Sequence, residues 1–180
     1  MEKKTSNFAY KLMVNVGMPI RNLLMPPAKM LDEVDIKPGY KVLDYGCGPG
    51  TFTIMLTDKV GQGGIVYALD IHPLAIEMVE EKAQKKKLSN IKTILSSGST
   101  SLPENSIDLI IFFDVFHDLD NQKEVLFELN RILKPDGNMC FSDHHIKEKE
   151  IVDCLTEDGL FMLKRKGKRT FDFGKISPIS

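Results

Sequence analysis

Cysteine is scarce and poorly placed for crosslinking: Cys47, Cys140 and Cys154 are odd in number, widely spaced and form no CxxC pair. That argues against a disulfide framework and against a cysteine-built zinc site, and a reducing, cytoplasmic setting is the expectation. Net charge is lacking too. Lys and Arg number 24 and Asp and Glu 25, so the formal charge is -1 and nothing global favours a nucleic-acid partner. No uninterrupted apolar run approaches the roughly 20 residues of a membrane span, because Pro19, Pro26 and Pro27 break up the one apolar N-terminal stretch. The chain reads as soluble and unprocessed. Repeats, low-complexity tracts and an interdomain linker are also absent, and 180 residues with 42% hydrophobic content suit one domain with a real core.

What is present is an alternation. Short apolar, partly β-branched runs, KVLDY (41–45), IVYALD (65–70), IKTIL (91–95), IDLIIFF (107–113) and NMCFSD (138–143), are separated by helical patterns. This predicts a parallel sheet covered on both faces by helices. Pro73 opens one helix with Ile76, Val79 and Ala83 on its apolar face, and Lys85, Lys86 and Lys87 complement its C-terminus. Asn121 and Glu124 form a capping-box signal for a helix burying Val125, Leu126, Leu129, Ile132 and Leu133, with Pro135-Asp136-Gly137 as the turn that ends it. Further on come a short helix at about 148–157 and two strands, LFMLKRK and RTFDFG, joined at Gly167 as an antiparallel hairpin on the sheet edge. At the other end, residues 1–36 read as a helical cap, with short helices near 8–16 and 28–34, on a domain of residues 37–180.

The stretch LDYGCGPGTF sets Gly46, Gly48 and Gly50 at alternate positions where a strand hands over to a helix. Such a turn lets backbone approach a ligand closely and aims helix N–H groups at it; a plain tight turn is the structural alternative. Asp70, ending IVYALD, stands where an acidic residue accepts from ribose hydroxyls. The dinucleotide pattern G-x-G-x-x-G/A fails at Thr51, and no lysine follows the glycines as a Walker loop requires. A dehydrogenase is disfavoured, and the expected ligand lacks a pyrophosphate.

In VLDYGCGPG the order Asp44, Gly46, Gly48, Gly50 resembles the first motif of the class I S-adenosylmethionine-dependent methyltransferases, an acidic strand end followed by G-x-G-x-G. Together with IKPGYKVLDYGCGPG, ALDIH, LPENSIDLII and LNRILKPDGNMCF, the resemblance spans about residues 37–174. It implies an α/β fold, a Rossmann-like doubly wound seven-stranded sheet of order 3-2-1-4-5-7-6 with strand 7 antiparallel. It also implies S-adenosyl-L-methionine as cofactor, S-adenosyl-L-homocysteine as product and methyl transfer by in-line displacement. By the same resemblance, Gly46, Cys47 and Gly48 lie against the methionine and ribose portions, and Asp44 anchors the amino group directly or through water. Asp70 would bind both ribose hydroxyls, and Ile71 would pack on adenine. Where many relatives place an acidic residue for the adenine amine, this chain reads Gly98, Ser99, Thr100, so a hydroxyl replaces the stronger carboxylate acceptor. Asp114, at the tip of the fourth strand, is expected near the methionine end or the acceptor, and His117 is placed to take a proton from it. Transfer from a sulfonium asks for little beyond alignment, so a purely structural His117 is the competing reading.

Insertions that build acceptor specificity in relatives are almost missing. A lid is therefore expected from Tyr10, Met18, Arg21, Asn22 and Met25 or from another subunit, in a monomer or homodimer. Phe113 and Phe116 with these methionines suggest a partly apolar mouth for a small or amphipathic acceptor. The alternatives are an RNA or protein methyltransferase, using the basic hairpin Lys164, Arg165, Lys166, Lys168 and Arg169, and a non-catalytic cofactor-binding sensor or partner subunit. Arsenic methylation would need the three thiols to converge, and their positions oppose it. His144 and His145 follow Asp143 but, as neighbours on an extended segment, should point opposite ways, so no metal is expected.

Overall fold

The computed structural model describes residues 6–176, and residues 1–5 of the expected cap and 177–180 of the expected domain lie outside the described residues. Strands β1 (Lys41–Tyr45), β2 (Ile65–Asp70), β3 (Ile91–Leu95), β4 (Ile107–Phe113), β5 (Leu133–Ser142), β6 (Phe161–Lys166) and β7 (Phe171–Lys175) form one sheet. Its order is β3-β2-β1-β4-β5-β7-β6, with β1 to β5 parallel and β7 antiparallel to both neighbours, as the resemblance implies. The helices are α1 (Asn7–Leu12), α2 (Met18–Leu24), α3 (Pro27–Leu31), α4 (Thr51–Val60), α5 (Pro73–Lys86), α6 (Gln122–Ile132) and α7 (Glu148–Thr156).

Side chains of a strand alternate between faces, so the central strands feed two cores. Leu43, Tyr45, Ile110 and Phe112 pack with Val125, Leu129 and Ile132 of α6 and with Ile151 and Leu155 of α7. Val42, Leu109, Ile111 and Phe113 pack with Met30 and Leu31 of α3 and with Phe52, Leu56 and Val60 of α4. With both faces covered, β4 has no polar side facing water, which is why IDLIIFF is almost continuously apolar.

Three local expectations need correction. The N-terminus is not interrupted at Pro19: α1 and α2 are joined by a π-helical turn, Met13–Gly17, into one rod, followed by the short α3. Proline lacks an N–H and collides with the carbonyl a turn behind it; the wider π turn, in which Met18 N–H bonds the Met13 carbonyl, absorbs both defects. Pro135-Asp136-Gly137 is not a turn before a strand but a looped-out part of β5, whose register jumps from Ile107–Leu133 to Leu109–Asn138. Asn121 stands at the N-cap of α6, yet its side chain makes no capping bond.

Candidate functional site

The glycine turn is tied to the neighbouring strand. Gly46 N–H and Cys47 N–H both donate to the Leu69 carbonyl, at 2.8 and 2.9 Å. These amides are spent inside the protein, so what the turn offers the cavity is bare Cα and carbonyl groups. Gly46 has φ +73°, and a Cβ there would stand 2.2 Å from Val115 Cγ2. Glycine is thus demanded twice, by conformation and by the close approach of the loop after β4 to the loop after β1. Those two loops flank the point where strand order reverses, the place at which open α/β sheets bind ligands.

Two carboxylates sit beneath this turn. Asp44 is buried and accepts 2.6 Å from Thr53 Oγ1; burial, with the Asp70 charge adding and the Thr53 bond opposing, pushes its carboxyl up to about 7. Asp70 accepts from Gly48 N–H at 2.9 Å and from His72 N–H at 2.8 Å, and burial still raises it above the ordinary carboxylate range. Both groups are kept dry, which strengthens any bond they make to a ligand.

The N-terminal rod lies across this end. Tyr10 is buried and stacks on His72 with ring centroids 4.1 Å apart and planes 13° from parallel. Its Oη has no hydrogen-bond partner among the described residues, and burial, with the charges of Asp70 and Cys47, raises the phenol. Met18 Cε reaches to 3.9 Å from where a Cβ on Gly48 would stand. Arg21 Nε donates at 2.8 Å to Asp114 Oδ2, and its terminal nitrogen binds the same oxygen.

Asp114 adopts φ +53°, unusual for a non-glycine residue. Its other oxygen accepts from His144 Nδ1 at 2.7 Å and His144 N–H at 3.1 Å. Burial pushes the Asp114 carboxyl up, but the His144 bonds and the Arg21 charge outweigh it and hold the group below its ordinary value. Beside it, buried Asp143 accepts from His117 Nδ1 at 2.9 Å and from His117 N–H at 3.2 Å. Donation from Nδ1 leaves His117 Nε2 as the proton-accepting nitrogen, 3.4 Å from the exposed carboxylate of Asp118. His117 and His145 rings lie 4.0 Å apart and those of His144 and His145 3.9 Å apart. The two adjacent histidines therefore do not diverge, because they occupy a turn rather than an extended segment. Asp114, Asp143 and His144 bring ligand-type atoms within 4.8 Å of one another, with Arg21 and His117 already bonded to the two carboxylates.

Most of these residues line one cavity of about 820 Å³, inside the roughly 300–1,000 Å³ range of small-ligand sites. Of the expected residues, Tyr10, Met18, Arg21, Asp44, Gly46, Cys47, Gly48, Asp70, Ile71, Phe113, Asp114 and His117 line it, and Asn22 does not. Gly50 does not; its φ of +80° starts α4, and a Cβ there would press on Val79. Ser99 and Thr100 are also elsewhere: Thr100 is buried and bonds Glu128, Ser99 is exposed, and Ser96 and Ser97 line the cavity in their place. Phe116 belongs to the core, edge-on to Phe112 and Phe141, and Met25 packs under α3 and α4. Sequence reasoning missed His72 as a stacking partner and Asp143 as the partner of His117. The acidic end of β5 in FSDHH was the available signal for the latter.

Three of the five cations of the basic hairpin are paired with acids of the protein itself. Arg165 pairs with Asp172, Lys166 with Glu148 and Arg169 with Glu33, and Lys164 donates to Asn138. The thiols do not meet: Cys47 is buried in the loop, Cys140 in β5, and Cys154 is exposed on α7. No helix among the described residues is long and apolar enough to cross a membrane.

Residues 36–173 match the family described as a methyltransferase domain. The chain belongs to this methyltransferase family. Its fold and relatives place it in the class I S-adenosylmethionine-dependent superfamily. A crystal structure of a SAM-dependent methyltransferase from Aquifex aeolicus is similar over 97% of this chain and 100% of that one, with TM-score 0.80 and 28% identity. Demethylmenaquinone methyltransferase of Geobacillus sp. (strain WCH70) is 29% identical over 110 residues, 61% of this chain and 47% of that protein. (S)-coclaurine N-methyltransferase of Thalictrum flavum subsp. glaucum is 28% identical over 113 residues, 63% of this chain and 31% of that protein. The methyltransferase chain thus spans half or less of the length of these two relatives. S-adenosylmethionine fits the residues present. The bare glycine turn leaves room for it, Asp70 is a dry acceptor for hydroxyls, and the Tyr10 hydroxyl is an orphaned donor on the same cavity wall.

Proposed function

We propose that this methyltransferase transfers a methyl group from S-adenosylmethionine to a small, largely apolar acceptor carrying a protonated nucleophile such as a phenol. The single observation that carries the reading is one cavity lined by the glycine turn, Asp70 and His117, with buried Asp143 bonded to the His117 ring. S-adenosylmethionine, when bound, supplies a methyl group already activated on a sulfonium. The chain's own work is then binding, alignment and proton removal. Asp70 holds the ribose hydroxyls and Asp44 the amino group, with Gly46, Cys47 and Gly48 against the methionine and ribose portions, and Ile71 and Tyr10 exclude water. His117, oriented by Asp143 through Nδ1, accepts the acceptor's proton at Nε2. Phe52, Phe113 and Met18 give the cavity an apolar wall, and the names of the relatives, a demethylmenaquinone and a coclaurine methyltransferase, support a small organic acceptor.

An RNA acceptor is less well supported, because four of the five hairpin cations are already engaged within the protein. Labelled S-adenosylmethionine offered with quinol-like phenols, amines, thiols and RNA tests the reading. Label in a small acceptor supports it, and label in RNA alone overturns it. Calorimetry of the isolated chain against S-adenosylmethionine and NAD, with Asp70→Ala as control, separates a binding-only sensor from an enzyme when paired with that turnover assay.

A further inference from the structure

The inner face of the N-terminal rod is spent on the cavity, through Tyr10, Met18 and Arg21. Its outer face is not polar. Phe8, Leu12, Val16, Ile20, Leu23 and Leu24 are all exposed, from 51% at Val16 to 80% at Leu23. An exposed apolar stripe this long marks a surface that meets a partner or a membrane. The stripe is also aligned: a strict four-residue spacing drifts around an ideal helix of 3.6 residues per turn, and the wider π turn at Met13–Gly17 brings it back onto one face.

Charge distinguishes among the occupants this face could have. Between Glu2 and Asp32 the sequence holds Lys3, Lys4, Lys11, Arg21 and Lys29 and no acidic residue, although the whole chain is net -1. Arg21 is used by Asp114, and Lys11 and Lys29 are exposed. A second copy would offer the same cationic segment to itself. An anionic lipid surface offers the opposite charge together with an apolar interior, which is the pairing that seats interfacial helices.

We infer that residues 7–24 are a membrane-surface helix: the outer apolar stripe beds into an anionic bilayer while the inner face stays on the cofactor cavity. The rod lies in the interface rather than across it, since no helix among the described residues is built to span. The inference concerns this surface and holds whichever acceptor the cavity takes.

The test is co-sedimentation of the full chain with vesicles of phosphatidylcholine alone or mixed with phosphatidylglycerol, at low and high salt. Binding is expected to need phosphatidylglycerol and to weaken with salt. The double variant Leu23→Ser/Leu24→Ser should lose at least about tenfold in partitioning while its affinity for S-adenosylmethionine is unchanged. The protein has no tryptophan, so Leu23→Trp in an otherwise native chain gives a separate reading: its emission should shift to the blue on anionic vesicles. No partitioning into anionic vesicles together with an unshifted Leu23→Trp emission overturns the inference. So does a wild-type dimer in sedimentation velocity that the double variant abolishes while vesicle binding is absent, which assigns the face to a second copy.

Discussion

Arg21, on the helical rod that crosses the cavity, grips the carboxylate of Asp114 at the tip of β4, from 93 residues away in sequence. The bond joins the rod to a backbone position held at φ +53°, with His144 on the other carboxylate oxygen. The rod's inner face is thereby tied to the tip of β4 at the cavity wall.

Arg21→Gln is expected to release that latch. Losing a charged, partly buried hydrogen bond costs on the order of 2 kcal/mol, so amide exchange over residues 7–24 should accelerate by at least about tenfold. Hydrogen-exchange mass spectrometry reads this, and unchanged exchange would sink the latch. The bonds that lower the Asp114 carboxyl contribute stability above the ordinary carboxylate value, about 3.9, and that contribution disappears as pH falls below it. Exchange over residues 7–24 of the wild type should therefore rise in acid.

Tyr10→Phe removes a buried hydroxyl that has no partner among the described residues. The ligand-free protein should be as stable as wild type or more stable by up to about 1 kcal/mol. Affinity for S-adenosylmethionine should drop by roughly five- to tenfold, a loss of about 1 kcal/mol. Equal affinity in calorimetry would show that the hydroxyl does not reach the ligand.

Asp44→Asn separates binding from stability. With its carboxyl raised to about 7, the folded protein binds a proton that the unfolded chain releases near pH 4. Wild-type stability should thus fall as pH rises from about 4 to about 7, by an order of a few kcal/mol. Asp44→Asn keeps an oxygen for Thr53 and carries no charge, so it should melt above wild type at pH 8 and close to it at pH 4. It should bind S-adenosylmethionine less well. Thermal melts without ligand at the two pH values decide this.

His117→Ala should reduce kcat by roughly 10²-fold or more with the affinity for S-adenosylmethionine unchanged. Asp143→Ala should lose less, because it removes only the group that orients the imidazole. Both losses should shrink for an acceptor that is already ionised. A kcat unaffected by either change would leave His117 a structural residue.

Much of the fold is written locally. The alternation of β-branched runs and helical stripes places six of the seven strands to within two residues, β5 alone starting earlier, and LDYGCGPG carries its glycines because a strand hands over to a helix there. Periodicity and chain stiffness act over a few residues, so they are visible without any contact. The π turn that carries the rod past Pro19 and the loop inside β5 are not of that kind. Each local signal there says break, and packing against the rest of the molecule overrules it.

The site divides along the same line. Asp44, Gly46, Gly48 and Asp70 lie at strand ends whose spacing is regular, and their places on the cavity wall follow from chain geometry. His117 with Asp143, Tyr10 on His72 and Arg21 on Asp114 join segments separated by 26, 62 and 93 residues. No short-range pattern encodes such meetings. They exist because the assembled sheet brings the ends of β2, β4 and β5 to one edge and lays the N-terminal helix over them, where burial makes each pairing worth keeping.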